Sequence, residues 1–206
     1  MKKDYGDEQV LSIPREKLQT ILGLSNLSTG FYPDFYQKIN VILENSEFIN
    51  RTDAETDPSY KQIIPYCIIR QNGKVLSYRR GVSGGENRLH GKLSIGVGGH
   101  INPVDTEFED FPDLSFATIA LIRELKEEIG VDLLTQSKSS KFVGYINDET
   151  NEAGQVHFGL AYVVDLIDDV EFAFEDCLNL PEWMGAEEIK KSENIEFWSE
   201  IFIKEL

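Results

Sequence analysis

In the segment Arg123-Glu124-Leu125-Lys126-Glu127-Glu128-Ile129-Gly130-Val131, winding the chain as a helix brings three glutamates together. At ~100° per residue, Glu127 and Glu128 fall on either side of Glu124, while Ile122, Leu125 and Ile129 gather on the opposite side. Like charges at i, i+4 repel, so pairing Glu124 with Glu128 weakens the helix slightly, and propensity gives no reason for it. A hard divalent cation does. Magnesium takes carboxylate oxygens in octahedral geometry and keeps several waters, so a ledge of glutamates can hold ions and leave positions for a phosphorylated substrate. Such an ion reverses the local sign, which lets an acidic site accept an acidic ligand. The plainer alternative is a solvated helix face on which Arg123 and Glu127 form an i, i+4 pair.

The elements around this segment have to position it. Residues 115–129 read as its helix, with Ser115 as the cap and Gly130 as the stop. Upstream, 63–70 and 75–78 read as the two strands of a hairpin turned by Gln71-Asn72-Gly73-Lys74. Arg79 and Arg80 end the return strand, and a glycine-rich stretch over 81–99 follows, enclosing the apolar segment 93–97. Residues 102–113 form a polar, acidic loop. Downstream, 142–146, 156–166 and 170–174 are expected strands, and Ile195, Trp198, Ile201 and Phe202 make an apolar helical stripe suited to core packing. Before the hairpin, a strand over 10–13, a helix from Pro14 to Leu22 and an apolar-periodic stretch through Phe35, Ile39, Ile42 and Leu43 fade into the polar run 50–58. That run marks the expected boundary between an accessory segment, 1–60, and the main domain, 61–206. Strands alternating with helices, with a hairpin among them, predict an α/β domain with a mixed sheet.

Composition narrows the partners. The chain has 206 residues with 36 acidic against 20 basic, a net charge of −16. A basic face for nucleic acid or for an anionic membrane is therefore not expected. No apolar run reaches the ~20 residues of a bilayer crossing, and Asp4, Asp7 and Glu8 stand where a secretory signal would be apolar, so a cytoplasmic location is expected. Cys67 and Cys177 are too few for a disulfide framework or a thiolate zinc site, and Cys67 reads as a buried small hydrophobe.

The glutamate segment resembles the signature of the Nudix hydrolases, G-x5-E-x7-R-E-U-x-E-E-x-G-U, where U is aliphatic. Arg123-Glu124, Leu125, Glu127-Glu128, Gly130 and Val131 match its second half throughout. Residues 63–183 are similar to that family's domain, and within the family the chain looks like a branch described as predicted phosphoesterases. The first half departs. The motif glycine matches Gly99, and its glutamate falls on Ser115, 16 positions on rather than six, so ten residues are inserted. Glu107 or Glu109 in the insertion could supply the missing carboxylate.

The resemblance implies an α/β/α sandwich with a mixed β-sheet and metal-dependent hydrolysis of a pyrophosphate bond in a nucleoside diphosphate linked to another moiety. It implies magnesium or manganese held by Glu124, Glu127, Glu128 and the carbonyl of Gly98, with Arg123 orienting the glutamates. The general base is expected at Glu152, with Glu149, Glu175 and Asp176 as alternatives. Arg79, Arg80 and His100 are candidate contacts to a phosphorylated small-molecule substrate, and Arg88, His90 and Lys92 make the same case from a loop. His157 is expected to pack or hydrogen-bond in its strand, and Trp183 to pack in the core. Ser115 and the added segment also leave room for a nucleotide-binding regulator without turnover. An isomerase of isoprenoid diphosphates, suggested by Gly98-Gly99-His100, fits less well because those enzymes lack the full glutamate set. Symmetric dimers are the commonest oligomers, and a homodimer is expected.

Overall fold

A hairpin turn through Asn72 (φ 52°) and Gly73 (φ 75°) joins β4 (Tyr60–Gln71) to β5 (Lys74–Arg80). Two successive left-handed residues match the twist of a tight hairpin, which is why an Asn-Gly pair there is legible as a turn. The structure is a computed structural model and describes residues 5–33, 38–81, 91–107, 114–175 and 178–205. It divides into two compact units, one of Met1–Pro65, Gly99–Leu121 and Gly144–Leu160, the other of Tyr66–Gly98, Ile122–Val143 and Ala161–Leu206.

The first unit contains β1 (Gln9–Pro14), α1 (Arg15–Leu22), β2 (Gly30–Pro33), α2 (Ile39–Glu44), β3 (Glu47–Asn50) and α3 (Arg51–Ala54). β1 pairs antiparallel with β3 and with the start of β4. The helix expected through Phe35 is shorter than its pattern: α2 starts at Ile39, β2 precedes it, and Phe35 lies outside the described residues. The polar run is not loop throughout, because Asn50 caps α3 by accepting from the Thr52 amide at 2.9 Å.

The second unit holds β6 (Leu93–Ser94) and β7 (Gly96–Gly98), which pair antiparallel with β5 and β4 respectively. α4 (Phe116–Ile129) runs on from the first unit and is followed by α5 (Leu133–Gln136). Next come β8 (Ser137–Asn147), α6 (Glu152–Val156), β9 (His157–Leu166), β10 (Leu178–Met184), α7 (Ala186–Ile189) and α8 (Phe197–Ile203). Strands in the second unit follow the order β10-β5-β4-β9-β8, and those in the first the order β4-β9-β8-β2. Lys61 reaches the His157 carbonyl at the start of β4 and β9, and Arg70 pairs with Asp165 near their ends, so these two strands run parallel. The hairpin is antiparallel, and the sheet is therefore mixed and open, as the element order predicted.

The strand expected over 170–174 does not form. At the C-terminus of α4, Ala173 N from this stretch donates instead to Ile129 O at 3.0 Å, and Glu175 N just beyond it donates to Glu128 O at 2.9 Å. A helix end offers unsatisfied carbonyls, and this segment satisfies two of them. The strand lies further on as β10, an edge strand carrying Pro181 and a register shift between Asn179 and Glu182. The stripe on α8 packs as expected, with Trp198 edge-on to Tyr66 at 5.4 Å and Phe202 buried. Among the described residues no helix is long and apolar enough to cross a membrane.

Candidate active site

Ser115 caps α4, its hydroxyl accepting from the Thr118 amide at 3.3 Å and meeting the Thr118 hydroxyl at 3.0 Å. The side chain at the motif's acidic position is thus used to begin the helix. Ser115→Ala is expected to lower stability by about 1 kcal/mol, read from denaturant midpoints; a loss of several kcal/mol would show that the hydroxyl does more than cap. At the other end Gly130 takes φ 74°, and the amides of Gly130 and Val131 close on the carbonyls of Lys126 and Leu125. A side chain at Gly130 would press on Ala173, so the glycine both stops the helix and admits the segment carrying Glu175.

Between these ends, Leu121, Leu125 and Ile129 are buried and Glu127 is exposed. Arg123 bridges its neighbours, donating from Nη1 to Glu124 at 2.7 Å and to Glu127 at 3.2 Å. Glu128 differs from both. Its Oε2 is shut off from solvent and has no hydrogen-bond partner among the described residues. Burial, then the charges of Glu124, Glu175 and Glu127, push its carboxyl up to about 7 against the opposing pull of Arg80. A carboxylate with one buried oxygen that no described residue donates to, facing three like charges, is the donor set a hard divalent cation completes. The residues present fit magnesium or manganese.

Arg80 stands on the same side of β5 as Tyr78, its guanidinium 5.6 Å from the Tyr78 ring centroid, and its Nε is buried without a hydrogen-bond partner among the described residues. Arg79 points to the opposite face, as alternate strand residues must, and donates to Gly91 O at 3.2 Å. Of the two arginines, Arg80 is the one electrostatically joined to Glu128. Gly98 pairs with Tyr66 at the end of β7. Tyr66, its partner on β4, and the residues just ahead of β7 are held by groups that no sequence motif singles out. Glu196 is buried and accepts from Ser199 at 2.7 Å, from Tyr66 at 3.2 Å and from Ser94 at 3.3 Å, while Ile95 N donates to Ser199 Oγ at 3.0 Å. Cys67 is buried opposite Val97, and burial raises its thiol, so it is the inert hydrophobe its context predicted.

The remaining candidates separate. Glu175 is exposed and tied by its backbone to the end of α4. Glu152 is exposed in the first turn of α6, in the first unit. Burial alone would raise the Glu149 carboxyl, but hydrogen bonds from Arg15, Lys61 and Asn147 hold it below the usual range. It belongs to an ion network in which the buried Lys61 ammonium, lowered to about 8 by desolvation, also donates to Gly154 O at 2.8 Å. Lys92 lies 4.5 Å from the Phe197 ring centroid, a cation-π contact. Trp183 packs edge-on to Phe172 at 5.8 Å. His100 meets Gln62 Oε1 at 2.8 Å, and His157 bonds Ala153 O at 2.8 Å as expected of a strand residue. Glu107 is exposed after a short 3-10 helix. Arg88, His90, Glu109, Asp176 and Cys177 lie outside the described residues.

No family model matches the chain. It is 33% identical over 162 residues to protein YmaB of Bacillus subtilis, covering 75% of each chain. It is also similar to the crystal structure of Tm1382, which is assigned to the Nudix hydrolases, with a TM-score of 0.77, 26% identity, and 96% of this chain and 97% of that one covered. The chain has the Nudix fold. A crystal structure of DR0079 from Deinococcus radiodurans shares the fold at a TM-score of 0.53 and 18% identity, over 77% of this chain and 90% of that one. The Nudix fold agrees with the intact Arg123–Val131 match and with the mixed α/β architecture around it.

Proposed function

We propose that this protein hydrolyses the pyrophosphate bond of a nucleoside diphosphate linked to a second group. The observation that carries the reading is Glu128, a buried carboxylate with an orphaned oxygen beside Glu124, Glu127 and Arg80. Glu124, Glu127, Glu128 and the Gly98 carbonyl would hold magnesium or manganese. When bound, such an ion neutralises phosphate charge and lowers the pKa of water. Arg123 keeps Glu124 and Glu127 in fixed rotamers through its two hydrogen bonds. Arg80 offers a guanidinium to a phosphate oxygen, and its unpartnered Nε supports that role over a purely structural one. Two acids compete for the base that takes a proton from the attacking water, Glu152 from the sequence resemblance and Glu175 from its closeness to Glu128. The one whose Gln variant loses the acidic limb of the pH-rate profile holds the role.

Product release is measured from a panel of nucleoside diphosphates esterified to sugars, alcohols and second nucleotides, with and without magnesium or manganese. We expect cleavage at a phosphoanhydride only with metal, and loss of that activity in Glu127→Gln. Activity unchanged in Glu127→Gln sinks the assignment. Because Ser115 supplies a cap where the motif supplies an acid, calorimetry on the same panel is the companion test: tight binding without product would make the protein a nucleotide-binding regulator. We further propose a homodimer, which light scattering at micromolar concentration checks; a monomeric mass contradicts it.

A further inference from the structure

A second group of metal-ligating side chains lies in the first unit, apart in sequence from the glutamates of α4. Donor atoms of Glu55, His100 and His157 lie within 4.8 Å of one another. Each comes from a different element: Glu55 from the C-terminus of α3, His100 from the segment after β7, and His157 from the start of β9. The imidazole rings approach edge to face, with centroids 5.5 Å apart.

The hydrogen bonds behind these side chains have the arrangement that metal-ligating histidines use. An amide oxygen and a backbone carbonyl only accept, so His100 donates from Nε2 to Gln62 Oε1 and His157 donates from Nδ1 to Ala153 O, both at 2.8 Å. The second nitrogen of each neutral ring then carries the lone pair a metal needs. Outer partners of this kind fix the tautomer and orient the ring. Gln62 is fully buried, which shelters its bond to His100 from water. The carboxylate is oriented too. Arg51 Nε approaches Glu55 Oε1 at 3.4 Å, while its Nη1 is held by Glu8 at 2.9 Å and its guanidinium sits 4.2 Å from the Tyr5 ring centroid.

We propose that Glu55, His100 and His157 bind a divalent transition-metal ion of the zinc class. Two imidazoles and one carboxylate suit zinc, cobalt or iron better than magnesium, whose preference is for oxygen. The two sites therefore sort ions by ligand chemistry, hard cations to the glutamates and borderline cations to the histidines. Three protein ligands leave at least one coordination position for water or an exogenous group. The ion would also tie three chain segments of this unit together, so its binding stabilises the fold.

Cobalt(II) reports on the site directly, because a nitrogen-ligated ion of low coordination number absorbs in the visible far more strongly than the hexaaquo ion. Titrating the metal-free protein should give one equivalent of such absorption, bleached by zinc, lost in His157→Ala and in His100→Ala, and retained in Glu128→Gln. Gln62→Leu, which removes the oxygen that orients His100, should weaken cobalt affinity about 10- to 100-fold. Absorption that is absent, or that survives His157→Ala and disappears in Glu128→Gln, overturns the proposal and places the ion at the glutamates. If the histidine variants do not fold, anomalous diffraction at the zinc edge from crystals of the unaltered protein decides: a peak among the three side chains supports the site, and its absence refutes it. Failure here leaves the hydrolase reading standing, and failure of the hydrolase panel leaves this site standing.

Discussion

Glu128→Gln is expected to lower kcat/KM by about 100- to 1,000-fold while making the metal-free protein more stable at alkaline pH. The loss follows from removing one charged donor at a site where charge stabilisation is worth several kcal/mol, at about 1.4 kcal/mol per tenfold in rate. The gain follows from linkage. The Glu128 carboxyl titrates near 4.5 in the unfolded chain and at about 7 in the folded one, chiefly through burial. Between those values the folded state binds more protons than the unfolded state, so stability falls as pH rises from about 4.5 to about 7 and then levels off. The displacement corresponds to about 3 kcal/mol at pH 8, an order-of-magnitude figure. Glutamine carries no charge to bury, so the variant escapes this penalty above pH 7, and its advantage vanishes below pH 4.5 where both side chains are neutral. A residue serving only the core would show no such opposition between activity and stability. Urea unfolding of both proteins at pH 4.5 and pH 8 without metal, beside steady-state rates with magnesium, measures both halves. A variant less stable than the parent at pH 8 contradicts the account.

Gly96→Ala is expected to destabilise the protein by about 3 kcal/mol, at the upper end for overpacking, and to lower its melting temperature by roughly 6–12 °C. An added Cβ at Gly96 would overlap the Tyr66 ring. That ring has nowhere to go: its hydroxyl is held by Ser199 and Glu196, and Trp198 and Phe202 pack on its sides. Relief must come from moving β7, which carries Gly98 two residues on. Stability and activity should therefore fall together, unlike the Glu128 case. Truncating Tyr66 to Leu in the Gly96→Ala background should recover part of the loss, because the clash and the ring are then removed as a pair. A melting temperature within a degree of the parent for Gly96→Ala alone would show that the approach is not tight.

What could be read from the sequence was what is local. The helix α4, its Ser115 cap, its Gly130 stop and the β4-β5 hairpin each rest on periodicity and turn chemistry within a few residues, and all of them form. The errors arise where tertiary partners override a local pattern. Residues 170–174 alternate like a strand, yet the Ala173 amide serves the end of α4. β10 pairs with β5 despite Pro181 and a left-handed Leu180, two features that argue locally against a strand. Arg79 and Arg80 are expected together as phosphate contacts, and strand alternation is the signal that separates them, since Arg80 shares a face with the core residue Tyr78. No local signal marks Glu55, His100 and His157 as neighbours, or joins Glu196 to Tyr66 and Ser94. Those groups meet only through the fold.

At the centre of this account is a helix face whose carboxylates are held against their own repulsion for a cation. Thermal unfolding at pH 8 with magnesium titrated into the parent protein and into Glu128→Gln tests it most directly. The ion should raise the melting temperature of the parent steadily with concentration, as binding to the folded state alone requires, and leave the variant almost unmoved. A parent protein indifferent to magnesium, or two proteins stabilised alike, would contradict the account.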